Sequence, residues 1–381
     1  MTNISNGVAA QPKGVCRLGV SLYPEFASQE DNFDYLRRAA AHGFDVLFLA
    51  LLGAKGTYEE VVERYLPYTT LAHELGFEIF CDVNPMVLKK LGVGISMFQG
   101  GIDLAFFREL GIDAMRLDLG MSDLEEVALA KNSGGIKICI NGACTTDHVG
   151  ALLASGAPRD VLVGCHNYYP HRYTGVSLDY FNQGTVHWAQ RGMRVQSFVS
   201  SNAPGAFGPW PVTEGLPTLE MHRDLPIEVQ TKHYIMMGGV SDILIGNCFA
   251  TDEELAAMQR ANSDRVRFTT KLVEGLPEEV ERRLSMSLSV RRDCTSGYLV
   301  RTLESRMDPA PVEPFNTVDI KRGDVIVDNR LYGQYAGEVQ IALAPMKNSG
   351  KTNVVGHIVE QEHILLDYLE GGTRFAFDMV R

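Results

Sequence analysis

The amino-acid sequence predicts an α/β protein: a (β/α)8 TIM barrel over residues 15–262, followed by a smaller β-rich domain over 263–381. Three observations predict it. The first two-thirds of the chain alternate short apolar runs with amphipathic segments of helical period, the pattern of βα units around a parallel sheet, and eight such units can be counted. Polar residues gather at the C-terminal ends of the runs, the face on which barrel enzymes build their sites. After residue 260 the alternation gives way to β-rich segments with turn signals and no further βα unit.

The strands are expected at 17–24, 45–51, 78–84, 114–120, 137–143, 161–168, 194–200 and 242–247, with helices such as 33–42, 58–75, 124–131 and 178–190 between them. Gly43, Gly76, Gly111, Gly156, Gly192 and Gly238 each stand where a helix must stop before a strand, the place of a left-handed C-terminal cap. Within the strands, successive side chains point to the helix layer and the barrel interior in turn. In the third strand Phe80, Asp82 and Asn84 share one side. In the fourth Arg116 and Asp118 share one, and in the fifth Cys139 and Asn141. These polar sides are expected to face inward. Beyond the barrel, strands are expected near 284–290, 298–303, 324–327, 338–343 and 354–359.

Composition narrows the function classes. The net charge of -12, from 47 acidic and 35 basic residues, comes without a basic block and excludes nucleic acid as an expected partner. No run reaches the roughly 18 apolar residues of a membrane span, and the N-terminus lacks a signal-peptide pattern, so a cytoplasmic setting is expected. The seven cysteines are scattered without a CxxC pair and read as reduced, buried thiols. There is no P-loop, no GxGxxG after a strand, no GxSxG elbow and no HExxH.

Four carboxylates lie at or near strand ends: Glu25, Asp82, Asp118 and Glu214. Asp82 and Asp118, on neighbouring strands about 4.8 Å apart, can share one site and separate their pKa values into an acid and a base. The competing reading is an ion pair with Arg116 or Arg223. The sixth strand ends in Cys165-His166-Asn167-Tyr168, hydrogen-bonding groups beside aromatic rings, which suits a polar ligand. The long proline- and glycine-rich connection over 200–225 carries Trp210, a flat face for a sugar, with Glu214, Glu220, His222 and Arg223 supplying charge. Asn247, after Gly246 at the end of the eighth strand, occupies the usual phosphate position of barrels. The expected substrate-binding set is therefore Glu25, Asn84, Arg116, Asn141, His166, Asn167, Tyr168, Trp210, Glu220, His222, Arg223 and Asn247, with Arg223 and Asn247 gripping phosphate. Catalysis is expected from Asp118 and Asp82, with Glu214 in reserve. A metal could be drawn from Asp82, Asp118, His166 and Glu25, but no ligand spacing supports one, and no cofactor is expected.

The stretches GVSLYPE, CHNYYPHRYTGVS, GPWPVTEGLPTLEMHRDLPI and ILIGNCFATDEEL resemble the MupG-type 6-phospho-N-acetylmuramidases, glycoside hydrolase family 170, formerly called outer surface proteins. The resemblance runs over essentially the whole chain. It implies a barrel joined to a cyclophilin-like β domain. It also implies hydrolysis of a phosphorylated amino-sugar disaccharide, 6-phospho-N-acetylmuramic acid linked to N-acetylglucosamine, during recycling of cell-wall peptidoglycan. Such a reaction needs carboxyl groups flanking the scissile bond, or the substrate's own acetamide as nucleophile with an acid and an orienting carboxylate from the protein. The resemblance assigns no residue to either role. Two other readings are a sugar-phosphate isomerase or aldolase, which lacks a strand-end lysine, and a non-catalytic carbohydrate-binding protein. The C-terminal domain is expected to support the barrel, complete the mouth of its site or form a homodimer contact.

Overall fold

The computed structural model describes residues 16–51, 53–93, 95–96, 101–102, 104–117, 121–293 and 296–381. The chain divides into two units, the first ending at Asn262 and the second spanning Ser263–Arg381.

In the first unit eight parallel strands close into a barrel. They are β1 (Arg17–Leu22), β2 (Val46–Ala50), β3 (Glu78–Val83), β4 (Ala114–Leu117), β5 (Lys137–Asn141), β6 (Leu162–Cys165), β7 (Val195–Val199) and β8 (Asp242–Ile245). Each pairs with the next in sequence, and β8 closes on β1. The helices that matter for the site are α1 (Gln29–Ala41), α2 (Tyr58–Glu74), α3 (Pro85–Lys90), α4 (Asp123–Lys131), α5 (Leu178–Ala189), α6 (Ile227–Met237) and α7 (Asp252–Ala261). Their starts follow from short polar side chains: Ser28 accepts from the Asp31 amide, and Thr57 and Thr251 form reciprocal capping boxes with Glu60 and Glu254. All six expected cap glycines have positive φ, between 61° at Gly192 and 90° at Gly156.

The interior face of the barrel carries Val46, Phe48, Phe80, Ala114, Cys139, Val163, Cys165, Phe198 and Leu244, all buried. Phe80 and Ala114 stand two residues before Asp82 and Arg116, so these polar groups belong to the same inward face. Gly19 on β1 is there because nothing larger fits. A Cβ would lie 2.8 Å from the Leu244 side chain and 2.9 Å from the Val46 carbonyl. The N-terminal end of the barrel is closed by ions. Glu78 pairs with Arg17, Lys137 and Arg194, and Arg194 also reaches Asp242 at 2.5 Å. Burial pushes the Glu78 carboxyl up, but the three cations outweigh it and bring its pKa to about 2.

The second unit holds a seven-stranded sheet. Its strands are β9 (Arg265–Leu272), β10 (Leu288–Ser289), β11 (Leu299–Arg301), β12 (Asp324–Asp328), β13 (Val339–Ala342), β14 (Thr352–Ile358) and β15 (Arg374–Val380), in the order β10-β15-β9-β14-β12-β13-β11. Among the described residues of this sheet, only the β9–β15 pairing is parallel. The segment expected as a strand at 284–290 is instead the end of a helix, Glu278–Leu284, and the two-residue β10. One face of the β11–β14 region is apolar, with Val300, Val325, Val327, Val339, Ile341 and Val355 buried.

Candidate active site

Parallel pairing sets Asp82 on β3 directly beside Arg116 on β4. Their side chains form an ion pair, and both are buried, at 1% and 4% exposure. The guanidinium also donates to Oδ1 of Asn167, two residues past β6, and its carbon lies 5.8 Å from the Phe48 ring centroid. Burial disfavours the charge on Arg116, but the Asp82 carboxylate outweighs it and raises the pKa well above the ordinary value. The ion-pair reading of Asp82 is therefore the one the geometry supports. Tyr168 packs edge-on against Phe48 and Phe198, with centroids 6.0 and 5.1 Å away, so the polar row Asp82–Arg116–Asn167 is walled by three aromatic rings. Asp118 lies outside the described residues.

The loop after β6 and the long loop after β7 are stitched together beside this row. Thr218, fully buried, accepts from the Phe198 amide at 3.0 Å and donates to the Asn167 carbonyl at 2.8 Å. Glu220 accepts from the amides of Tyr173 and Gly175, each at 2.8 Å, and from Arg223. The Arg223 guanidinium and these amides hold its carboxyl at about 2. Glu214 accepts from the Arg172 amide at 2.8 Å and is otherwise exposed.

Several expected ligand-facing groups are occupied elsewhere. Arg223 and Asn247, expected to grip phosphate, both have partners within the protein. Arg223 is 2% exposed and donates through all three nitrogens, to Glu220 and to the carbonyls of Tyr169, His171, Glu214 and Gly215. Asn247 is buried and exchanges hydrogen bonds with the Ser201 backbone, at 2.8 and 2.9 Å. The turn at Gly246 is filled by Leu216, whose carbonyl would lie 2.5 Å from an added Cβ. The first turn of α7 carries Asp252, Glu253 and Glu254, which repel an anion at the helix start.

The two histidines expected to bind substrate are likewise fully buried. His166 bonds to Thr185 of α5 at 2.8 Å and stacks on Phe181, with centroids 4.3 Å apart. His222 bonds to His233 of α6 at 2.7 Å. Burial lowers both pKa values, that of His166 to about 3. Asn84 caps α3 by accepting from the Val87 amide, and Asn141 turns back to the Ala143 amide, each at 2.9 Å. Glu25 takes Arg64 at 2.7 Å and the Tyr65 hydroxyl at 3.2 Å. Trp210 is 43% exposed. Among the described residues, no group of three or more His, Cys, Asp or Glu is placed to hold a metal ion.

Sequence reading did not single out Phe48, Thr218, Ser200 or Gln230. Phe48 was hidden in an apolar run whose inward residues no polar neighbour marks. Gln230 lies on α6 and both accepts from and donates to the Ser200 backbone, at 2.8 and 3.0 Å, which no motif announces.

Comparison with curated proteins returns no match. A crystal structure of an uncharacterized B. cereus protein is 35% identical, covers 96% of this chain and 99% of its own, and superposes with a TM-score of 0.85. A conserved protein of unknown function from Enterococcus faecalis is 23% identical over 95% of this chain and 96% of its own, with a TM-score of 0.72, and so shares the fold. The sequence model of the 6-phospho-N-acetylmuramidase N-terminal domain matches residues 18–260, and that of the C-terminal domain matches 266–378. With both domains matched, this chain belongs to the 6-phospho-N-acetylmuramidase family and is a glycosidase.

Proposed function

We propose that the protein hydrolyses the bond between 6-phospho-N-acetylmuramic acid and N-acetylglucosamine in a phosphorylated disaccharide, within the cytoplasm, as a step in peptidoglycan recycling. The observation that carries this reading is the family match over both domains. The polar row inside the barrel mouth adds a place for the chemistry. In this proposal Asp118, two residues after Arg116 and on the same expected face, is the proton donor to the leaving oxygen. Asp82 keeps Arg116 charged and aimed, and Arg116 with Asn167 and Tyr168 receives the sugar. The ion pair suits Asp82 to orienting and charge stabilisation rather than proton donation, the division of labour that substrate-assisted cleavage of an N-acetyl sugar requires. In this proposal the second domain is cyclophilin-like.

The test compares release of the two sugars from the phosphorylated disaccharide and from its unphosphorylated form. Turnover of the phosphorylated form alone is expected. Asp118→Asn is expected to lower kcat by about 10²–10⁴, the range for loss of a general acid. If Asp118→Asn and Asp82→Asn both leave turnover near wild type, the pair is wrong. Hydrolysis of neither substrate favours a binding protein instead. Full activity after removal of 263–381 excludes barrel support and completion of the site mouth as roles of that domain and leaves the homodimer contact.

A further inference from the structure

The sheet of the second unit has an apolar face and a mixed one. Register places Arg301, Gln340, Ile326 and Val354 side by side across β11, β13, β12 and β14, with Leu299 beside Ala342 and Asp328 beside Thr352. A face that served only as core has no reason to carry the polar members of these rows. Instead they floor a cavity of about 250 Å³, which Leu299, Ile320, Ile326 and Met346 line on its apolar side and Tyr332 and Tyr335 flank.

The chemistry of the lining is specific. Asp328 accepts from Thr352 and from Gln340, both at 2.9 Å, and Gln340 also reaches Glu338. Burial raises the Asp328 carboxyl to about 7, so near neutral pH the floor can both donate and accept. The two cations of the lining itself are already matched: Arg301 is held by both oxygens of the buried Glu338, and Lys347 by Asp319 at 2.6 Å. An anionic ligand therefore finds little net attraction. The two tyrosines are 39% and 37% exposed and are steadied by cations, Arg301 5.3 Å from the Tyr335 centroid and Lys351 5.6 Å from that of Tyr332. Planar polar side chains below and aromatic faces beside are what a sugar ring needs. Its hydroxyls require groups that donate and accept, and its C–H faces require flat apolar surface.

We propose that this cavity is a binding site for one uncharged pyranose ring, of the hexose or N-acetylhexosamine class, separate in its chemistry from the barrel reaction. The volume suits a single ring and is below the range for larger ligands.

Met346 lines the cavity and provides the reporter. The full chain is labelled with methyl-13C methionine, the Met346 signal is assigned with Met346→Leu, and N-acetylglucosamine, glucose and inorganic phosphate are titrated in turn. At least one of the two sugars is expected to shift the Met346 methyl saturably in the millimolar range, with phosphate producing no shift. The double variant Tyr332→Ala/Tyr335→Ala is expected to weaken binding at least about tenfold, and Gln340→Leu to weaken it severalfold without removing a ring. The other methionine methyls show whether each variant is folded. A Met346 signal unmoved by both sugars, a shift retained in full by both variants, or a stronger response to phosphate overturns the proposal. None of these outcomes depends on hydrolysis in the barrel, so the two readings stand or fall separately.

Discussion

Asp328 and Asp82 are both buried carboxylates, and their surroundings differ in kind. Asp82 has a cation directly against it, whereas Asp328 has Thr352 and Gln340 as neutral donors and the like charge of Glu338 nearby. The folded pKa of Asp328, about 7, exceeds its ordinary 3.8. The folded state thus keeps a proton that the unfolded chain has released, and stability declines as pH rises from about 4 to 7, then levels. Asp328→Asn removes this loss, because its amide can donate to the Thr352 hydroxyl while its carbonyl still accepts from Gln340. Relative to wild type, the variant is expected to gain roughly 2 kcal/mol at pH 8 over its value at pH 5, read from urea denaturation at the two pH values. A gain that is the same at both pH values excludes the raised carboxyl. At this scale the sequence was partly legible. The inward alternation around Asp82 could be read from its strand. The fate of Arg223 could not, because four carbonyls from two loops converge on it and a sequence does not display carbonyl directions.

The elements around the site are held by side chains that looked like ligands. Glu220 ties the loop after β6 to the loop after β7 through two amides and Arg223, so Glu220→Gln leaves a buried guanidinium short of its counter-charge. The expected cost is roughly 3 kcal/mol, with faster proteolytic nicking within 203–215. An unchanged cleavage rate excludes the clamp. Three buried histidines pack against the helices behind the barrel, His166 bonded to Thr185 of α5 and His222 to His233 of α6, and burial lowers their pKa values, to about 3 for His166 and about 4 for His233. They stay neutral in the fold and charge only on unfolding, so barrel stability is full above pH 6.5 and falls as pH drops toward 4. Each histidine contributes about 1.4 kcal/mol per pH unit across that window. Both tryptophans, Trp188 and Trp210, lie in the first unit, so their fluorescence reports this unit alone. Its unfolding midpoint is expected to drop between pH 6.5 and 4.5, and a flat profile excludes neutral burial of the three rings. The element boundaries were readable where glycine and capping residues mark them. Strands β9 and β15 were missed although β9 alternates buried Val266 and Phe268 with exposed Arg267 and Lys271; what holds the two strands is a parallel pairing between opposite ends of the unit, which no local pattern displays.

For the whole molecule, barrel closure draws on the charged end as well as on the apolar core. Glu78 bridges three cations drawn from β1, β5 and the residue before β7, strands far apart in sequence. Glu78→Gln is expected to cost roughly 3–5 kcal/mol in denaturant unfolding followed by tryptophan fluorescence, and a cost below about 1 kcal/mol excludes the cluster as a closure device. In the wild type this contribution is present above pH 4.5 and lost as the carboxyl is protonated toward its folded pKa of about 2. The eight-unit rhythm made the barrel legible because every strand pairs with its neighbour in sequence. The second sheet follows no such rule. Its last strand, β15, slots between β9 and β10, the first two. During synthesis the barrel can therefore close once β8 has emerged, but the second sheet cannot. It must wait with the edges of β9 and β10 unpaired until residues 374–380 leave the ribosome, which makes the interval before they emerge the one in which the nascent chain is most open to strand-edge aggregation.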